Sequence, residues 1–507
     1  MMTEHGRSYR FGPLERRGFA GGLQPGQVAC LAATCIAAVV VFRLSPSGLG
    51  FVTGVGLVVA GAALAFVPIH RRPLIAWLPV IAASVRGRSY RSPAVSAGIT
   101  SGLAGERPRR PASLPRCLDG CELVAQPVGD QDVGMLRDRR AATLTAVVAV
   151  RVRAFGLLPT DEHEARLARW GQLLAGLART RSPVRRLQIL QRALPAEGDG
   201  LWRHFFEARD PSIPDDAPAS GSYRSLLDDA QQVTQDREIL LALQIDERRA
   251  WSRAAHDAQV QHLDRDEQAQ AILLRELRGF VARFQPMDAE VAGVLTSEQY
   301  VTAIRNAYDP YRRRRLSADP ADVVPGPLDV GPSAAERRWR SYVAEGGCHR
   351  TYWIAQWPRL PVGPLFLTPL LLGAHAVHSV AVVFEPVRPE RARRGAEAAI
   401  TSDEADEELR SRRGFRTSAV QRRKQEAAIR REEELASGHE EVRFAGFVTV
   451  SASSEAKLED ASAQVEHAAE QARLDLLPLW GEQDAGFVHG ALPVARGLAS
   501  TRGFGVL

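Results

Sequence analysis

The stretch "GFVTVSASSEAKLEDASAQVEHAAEQA", Gly446–Ala472, decides how the soluble part of this chain is read. An apolar, β-rich run (Phe447–Val450) hands directly to a helix pattern whose core face is Leu458, Ala461, Val465, Ala468 and Ala472. A strand running into a helix N-terminus is where a nucleotide-binding domain sets its phosphate loop. Such a loop needs glycines, so that backbone N–H groups can cradle phosphate, and a lysine to reach the outer phosphates. Here the join is "SASSEAK", Ser451–Lys457, with no glycine. Lys457 is one of only two lysines in the chain, the other being Lys424, so no G-x-x-x-x-G-K-[ST] exists. The join therefore reads as a structural corner. Ser453 or Ser454 caps the helix, and Glu455 suits the positive end of its dipole.

Working outward, the preceding segment runs from "EPVRPERARRGAEAAITSDEADEELRSRRG" to "QRRKQEAAIRREEELASGHEEV" and is mostly Arg, Glu and Ala. With little apolar face, it reads as a long charged helical hairpin or arm over 388–440, solvated or partner-facing. Further upstream, "TLTAVVAVRVRAF" (Thr143–Phe155) and "EILLALQID" (Glu238–Asp246) read as strands. "TDEHEARLARWGQLLAGLART" reads as a helix capped by Thr160, with Leu167, Trp170, Leu174 and Leu177 on one face, and "QAILLRELRGFVARF" as a second amphipathic helix. "RTYWIAQWPRLPVGPLFLTPLLLGAHAVHSVAVVFEPVRP" supplies a strand, a Pro-rich turn, a short apolar helix and a strand ending at Phe384. His375 and His378 fall in that run without a carboxylate or cysteine at matching spacing, so packing is their expected role.

The N-terminal part is of another kind. "QPGQVACLAATCIAAVVVF" and "LGFVTGVGLVVAGAALAFVPI" each approach the ~20 residues needed to cross a bilayer core, and neither carries a charge. The short break "RLSPSG" joins them. Arg7, Arg10, Arg16 and Arg17 precede the first run, and His70, Arg71, Arg72, Arg86, Arg88 and Arg91 follow the second, whereas the connection holds only Arg43. The positive-inside rule then predicts a two-helix transmembrane hairpin in the inner or plasma membrane with both termini cytoplasmic. Gly50 and Gly54 form a G-x-x-x-G spacing that lets helices approach closely, either within the hairpin or between copies. "RRPLIAWLPVIAA" (Arg71–Ala83) is apolar but interrupted by Pro73 and Pro79. It reads as a segment in the headgroup region, where the Trp77 ring is favoured.

At 507 residues and a net charge of +6 the chain is long enough for several domains and mildly basic, almost wholly through arginine. That balance suits contact with lipid headgroups or nucleic acid without separating them. Five cysteines make no disulfide framework. "CLDGC" (Cys117, Cys121) and "GCHR" (Cys348, His349) lack the spacing of a zinc set. There is no H-E-x-x-H, G-x-S-x-G or kinase signature, and "GVGLVVAG" lies inside an apolar run. No catalytic, cofactor-binding or metal-ligating residue is expected. The fold class expected is an α/β (α+β) cytoplasmic body behind the hairpin and interrupted by the arm. Its boundaries are 1–24 for a basic arm, 25–70 for the hairpin and 71–130 for a juxtamembrane and Pro/Arg-rich linker. The body follows in two parts, 131–387 and 441–507, on either side of the arm.

Taken together, these pieces resemble a known arrangement. "SYRFGPLERRG", the two-span hairpin and the Arg-rich exit resemble the PrgI-like membrane segment of conjugation and type IV secretion operons. The remainder is similar to the N-terminal, non-motor domain of VirB/TraC-type secretion ATPases. The matching motifs run in order through "LTAVVAVRVRAF", "LARWGQLLAGLARTRSPVRRLQILQRALP", "AIRNAYDP", "HRTYWIAQWPRLPVGPLFLTPLLL", "VVFEPV" and "EEELASGH" to the closing "LWGEQDAGFVHGALP". An actinobacterial family with this whole layout and no motor is the nearest resemblance. Those ATPases continue into a motor with Walker motifs, whereas this sequence stops at Leu507, so no nucleotide-contacting residue carries over. The resemblance implies a non-catalytic membrane component that recruits a separate ATPase, other secretion components and other copies of itself. The rival expectation is a membrane-tethered nucleic-acid-binding protein that uses "YRRRRL" (Arg312–Arg315) and the linker arginines on phosphates.

Overall fold

Runs such as "LTAVVAVRV" and "ILLALQI" are β-branched and apolar on both sides, which suits strands buried on two faces. In the computed structural model they are neighbouring interior strands of a thirteen-stranded sheet. The structure describes residues 25–69, 72–85, 89–91, 116–152, 158–196, 204–210, 213–214, 217–233, 235–284, 289–311, 331–332, 334–412 and 419–497. It divides into two units, one within 89–396 and 431–497, the other within 12–88 and 397–430.

The second unit contains α1 (Pro25–Leu44), α2 (Gly48–Phe66), the two-residue strands β1 (Pro68–Ile69) and β2 (Arg72–Pro73), and α3 (Leu74–Val85). It also contains the outer part of the charged arm.

The first unit is the sheet and its cover. In chain order it brings β3 (Ser89–Arg91), β4 (Cys121–Val128), β5 (Gln131–Asp138), β6 (Thr143–Val152), α4 (Thr160–Leu177), β7 (Val184–Pro195), α5 (Pro218–Val233), β8 (Gln235–Asp246), α6 (Glu247–Ala254), α7 (Arg265–Phe284), β9 (Ala289–Val294) and α8 (Ser297–Tyr308). Then come β10 (Ala334–Arg337), β11 (Tyr342–Ala344), β12 (Gly347–Gln356), β13 (His378–Pro386), the inner ends of the arm helices α9 (Pro389–Arg412) and α10 (Ala419–Ala436), whose residues within 397–430 belong to the second unit, then β14 (Val442–Ala452), α11 (Glu455–Gln471), β15 (Asp475–Pro478) and α12 (Gln483–Ala491). The strand order is β3-β10-β11-β12-β14-β13-β7-β8-β6-β5-β4, with β15 on β12 and β9 on β6. Every described pairing is antiparallel, so the α/β alternative gives way to α+β.

The sheet also takes in β3 and β4, which moves its limits into the segment assigned to the linker over 71–130. "CELVAQPV" shows little alternation and contains Pro127, which masks it as a strand. It forms by pairing along its whole length with β5 across a turn at Gly129, whose φ of 64° a glycine accepts without strain. Thr160 is corrected too. It is the first helical residue of α4, and the N-cap position falls on Pro159, which offers no side-chain cap.

One face of the sheet is covered by two helical layers. Leu173 and Leu177 of α4 and Ile272, Leu273, Leu277 and Phe280 of α7 pack on Leu144, Val148, Leu187, Leu241 and Leu243. Leu458, Val465 and Ala468 of α11 pack on Tyr352, Ile354, Val380, Val448 and Val450, together with a π-helical turn at Pro369–Gly373. Each such fully buried side chain contributes about 1.5–3 kcal/mol of transfer free energy.

The opposite face is polar as well as buried. Gln188, Arg192, Gln244, His349, Thr351 and Thr449 all face inward with almost no exposure. The segment after α12, Leu492–Gly497, crosses this face, and side chains satisfy its backbone. Gln188 Nε2 donates to the Leu492 carbonyl at 3.0 Å, and Gln188 Oε1 accepts from the Ala495 N–H at 2.7 Å. Gln244 Nε2 donates to Val494 O at 3.2 Å, and the Tyr300 hydroxyl to Pro493 O at 2.7 Å. Arg496 closes the segment on Asp138 and the Cys117 carbonyl.

Replacing Gln188→Leu strands the Ala495 N–H and the Leu492 carbonyl in a dry site, at about 1–3 kcal/mol for each unsatisfied group. A thermal unfolding transition lowered by several degrees is the expected result; an unchanged transition refutes the role given to Gln188. Acid should also weaken this face. His349 Nε2 donates to Tyr308 O at 3.1 Å, while Nδ1 accepts from Ser451 Oγ at 2.8 Å. Burial pushes its pKa down to about 4 and that of His489 to about 3, below the ~6.5 of an unfolded chain. The neutral forms thus give stability that is complete above pH ~6.5 and lost as pH falls toward the folded values, on the order of 3 kcal/mol for His349 alone. Unfolding midpoints measured from pH 7 to 4 should drop, and His349→Gln should flatten the profile.

Candidate membrane anchor and docking surface

The hairpin is built with small residues inside and large ones outside. Within α2 the buried residues are Gly50, Gly54, Gly61 and Ala65, whereas Leu49, Phe51, Val52 and Val59 stand more than half exposed. A soluble helical hairpin buries its leucines and phenylalanines; this one turns them outward. Ser47 begins α2, its hydroxyl accepting from the Gly50 N–H at 3.3 Å. A Cβ at Gly50 would strike the Ser45 carbonyl in the turn. At Gly54 it would meet the Ala38 carbonyl at 3.4 Å, and at Gly61 it would overlap the Thr34 side chain. A glycine is thus required against the turn at Gly50 and against α1 at Gly61, whereas a Cβ at Gly54 would make an ordinary contact. Gln27 Nε2, donating to Ala65 O at 2.7 Å, pins the open end. Both helices are long and apolar enough to cross a membrane.

The segment with Pro73 and Pro79 is not broken as the sequence reading expects. Pro73 closes β2 before the helix begins, and α3 continues through Pro79. At 12 residues it rises about 18 Å, short of the ~30 Å hydrocarbon core. Trp77 is buried against the same unit rather than presented outward. Its Nε1 donates to Ile69 O at 3.2 Å, and the buried Arg72 guanidinium lies 5.6 Å from the ring centroid, a cation–π contact of about 0.5–2 kcal/mol. Arg16, Arg17 and Arg71 lie outside the described residues, as do Arg312–Arg315 and the linker over 92–115.

The corner at Ser451–Lys457 is closed by the chain's own groups. Ser454 Oγ accepts from the Lys457 N–H at 3.3 Å, and Lys457 itself is exposed. Glu455, in the first turn of α11, accepts from Arg338 at 2.7 Å and Ser341 Oγ at 3.2 Å; the Arg338 hydrogen bond holds its carboxyl below the usual range. One turn on, Glu459 takes both guanidinium nitrogens of Arg350 at 2.8 and 2.5 Å. The serine hydroxyl thus caps the helix, while the two carboxylates of its first turns are held by arginines from the sheet side.

The arm leaves the body at a small apolar base of Val387, Ala392, Ala396 and Leu435, beside an Arg431–Glu441 ion pair at 2.6 Å. The structure describes its two helices as α9 and α10. His378 is buried with Nδ1 2.7 Å from Ala376 O, and burial lowers its pKa; His375 is exposed. Burial pushes the Cys117 thiol up to about 12 and the Cys121 thiol to about 11, which makes both poor nucleophiles. Among the described residues no three His, Cys, Asp or Glu side chains gather as a metal site. The polar sheet face and the crossing segment at 492–497 escape the sequence reading. Their only signal is glutamine inside apolar strands, in "LQIL" and "LALQID".

The described residues define a mixed α+β chain with one large antiparallel sheet and two apolar N-terminal helices paired as a hairpin. No protein-family model matches this sequence, and no curated protein matches it.

Gly61→Leu should wedge α1 from α2, because the added side chain has no room beside Thr34. A cysteine pair placed across the hairpin in a background without native thiols should then lose its cross-link, whereas Gly56→Leu, in open space, should keep it.

Proposed function

We propose that the chain is a non-catalytic component of a type IV secretion-like or conjugative DNA-transfer apparatus. The hairpin anchors it in the inner or plasma membrane with both termini cytoplasmic, and the sheet-based body with its charged arm recruits a separate ATPase. The inverted packing of the hairpin carries the anchoring half of this reading. Outward-facing Ile36, Leu49, Phe51 and Val52 are costly in water, at ~25 cal/mol per Å² of apolar surface, and at home in lipid. Arginines at both ends of the hairpin, against the lone Arg43 in the last turn of α1 beside the connection, support the orientation.

The recruiting half rests on the resemblance to the non-motor domain of secretion ATPases and on the corner at Ser451–Lys457. That corner caps its helix with Ser454, pairs Glu455 with Arg338 and leaves Lys457 in solvent, an arrangement with no phosphate cradle, so it favours a docking role over nucleotide binding. The arm offers two helices rich in charge for a partner surface. Other secretion components and further copies of the chain are partners of the same reading.

The full chain, expressed in its own membranes, should resist carbonate extraction and co-purify with a Walker-bearing ATPase of the kind that the resemblance implies is encoded nearby. Removal of the arm over 389–436 should weaken that association, and the pure chain should not hydrolyse ATP. Release into the soluble fraction, failure to associate with the ATPase, or unaided turnover would each overturn the proposal.

A further inference from the structure

The hairpin carries more than a span. On one side of it, α1 and α2 line an open groove of about 410 Å³, almost wholly apolar. Ala38 and Gly54 form its floor, Phe42 and Phe51 stand near the turn, and Val59 marks its far end. The size falls within the ~300–1,000 Å³ of small-molecule sites. From Gly50 to Val59 the lining of α2 rises about 14 Å, which is half of the ~30 Å hydrocarbon core and so the depth of one leaflet.

Arg43 lines the turn end of the groove. It is exposed, and among the described residues it makes no ion pair or hydrogen bond. The chain offers it no nearby partner in sequence either, because no Asp or Glu occurs between Pro25 and Val85. Among the described residues nothing supplies its counter-anion, so the side chain is open to an anion from another molecule. A second copy packed two-fold in this groove would set one Arg43 against the other, a like-charge contact that costs affinity. An anionic phospholipid meets both demands at once. We infer that the groove binds one acyl chain of such a lipid, in the leaflet that holds the turn, with the headgroup phosphate on Arg43. This site rests on the membrane-anchored reading above.

The test uses the full chain purified in mild detergent, with phosphatidylglycerol or phosphatidylcholine added and the lipid-bound fraction read by native mass spectrometry. One cation near an anionic headgroup is worth about fivefold in occupancy, so phosphatidylglycerol should exceed phosphatidylcholine by about that factor. Arg43→Gln should bring the two lipids level, Arg43→Lys should preserve the preference, and Val59→Trp, which fills the far end, should lower retention of both. Equal binding of the two lipids by the native chain, or a preference that survives Arg43→Gln, overturns the inference. A dimer that dissociates in Val59→Trp overturns it in favour of a second copy. Carbonate extraction run alongside separates the outcomes: a chain that stays in the membrane but shows no headgroup preference sinks only this site, and a chain that washes out sinks the anchor.

Discussion

A sheet of thirteen antiparallel strands has two faces, and neither is stable against water when its central strands are as apolar as β6 and β8. Covering both faces is the constraint on which the rest of the body depends. On one face the solution is ordinary, with amphipathic helices laid on branched aliphatic side chains. Trp170 of α4 sits edge-on to Phe284 of α7 at 6.4 Å and to Phe384 of β13 at 6.0 Å, so one aromatic side chain ties the two covering helices to each other and to the sheet at β13.

The other face is covered by a short helix and a run of extended backbone, and that choice explains the polar residues beneath it. Extended backbone laid flat on a sheet cannot use the strand ladder, so its carbonyls and N–H groups need partners from side chains. Glutamine, with a donor and an acceptor on one group, serves both needs, as Gln188 does toward Leu492 and Ala495. Ala495 holds a φ of 51°, an uncommon left-handed conformation for a residue with a Cβ, and that short kink coincides with its bond to Gln188. Removing either side of this arrangement leaves polar groups dry. The segment therefore belongs to the core, although it has no regular secondary structure.

The hairpin obeys the opposite rule. Where the body buries its bulky side chains, α2 buries glycines and an alanine and exposes phenylalanine, leucine and valine. In water there is no gain in that pattern. In lipid the close backbone approach that glycine permits is itself the main attraction, and the outward side chains meet solvent of their own kind. Among the described residues Arg43 has no carboxylate partner, which is why it carries information that its neighbours do not.

Much of this was legible without coordinates. Hydrophobic run length marked α1 and α2, the three–four spacing of Leu458, Val465 and Ala468 marked α11, and the lack of glycine and presence of serine marked the corner before it. These signals are local: a helix face, a cap and an apolar length each depend on a few residues in sequence. The sheet order was not legible, because pairing β12 with β14 and β7 with β13 joins residues about a hundred or more apart in the chain, and alternation records which side a residue faces but not which strand lies beside it. Nor was the placing of Trp77, buried under Arg72 by a turn that only the fold makes. Sequence alone determined which segments are greasy, that α4, α7 and α11 are helical, and that no phosphate loop is encoded. Tertiary structure alone decided that Glu455 is held by Arg338 and that Gln188 binds the backbone of a distant segment, since both contacts need partners that only long-range packing brings within hydrogen-bond reach.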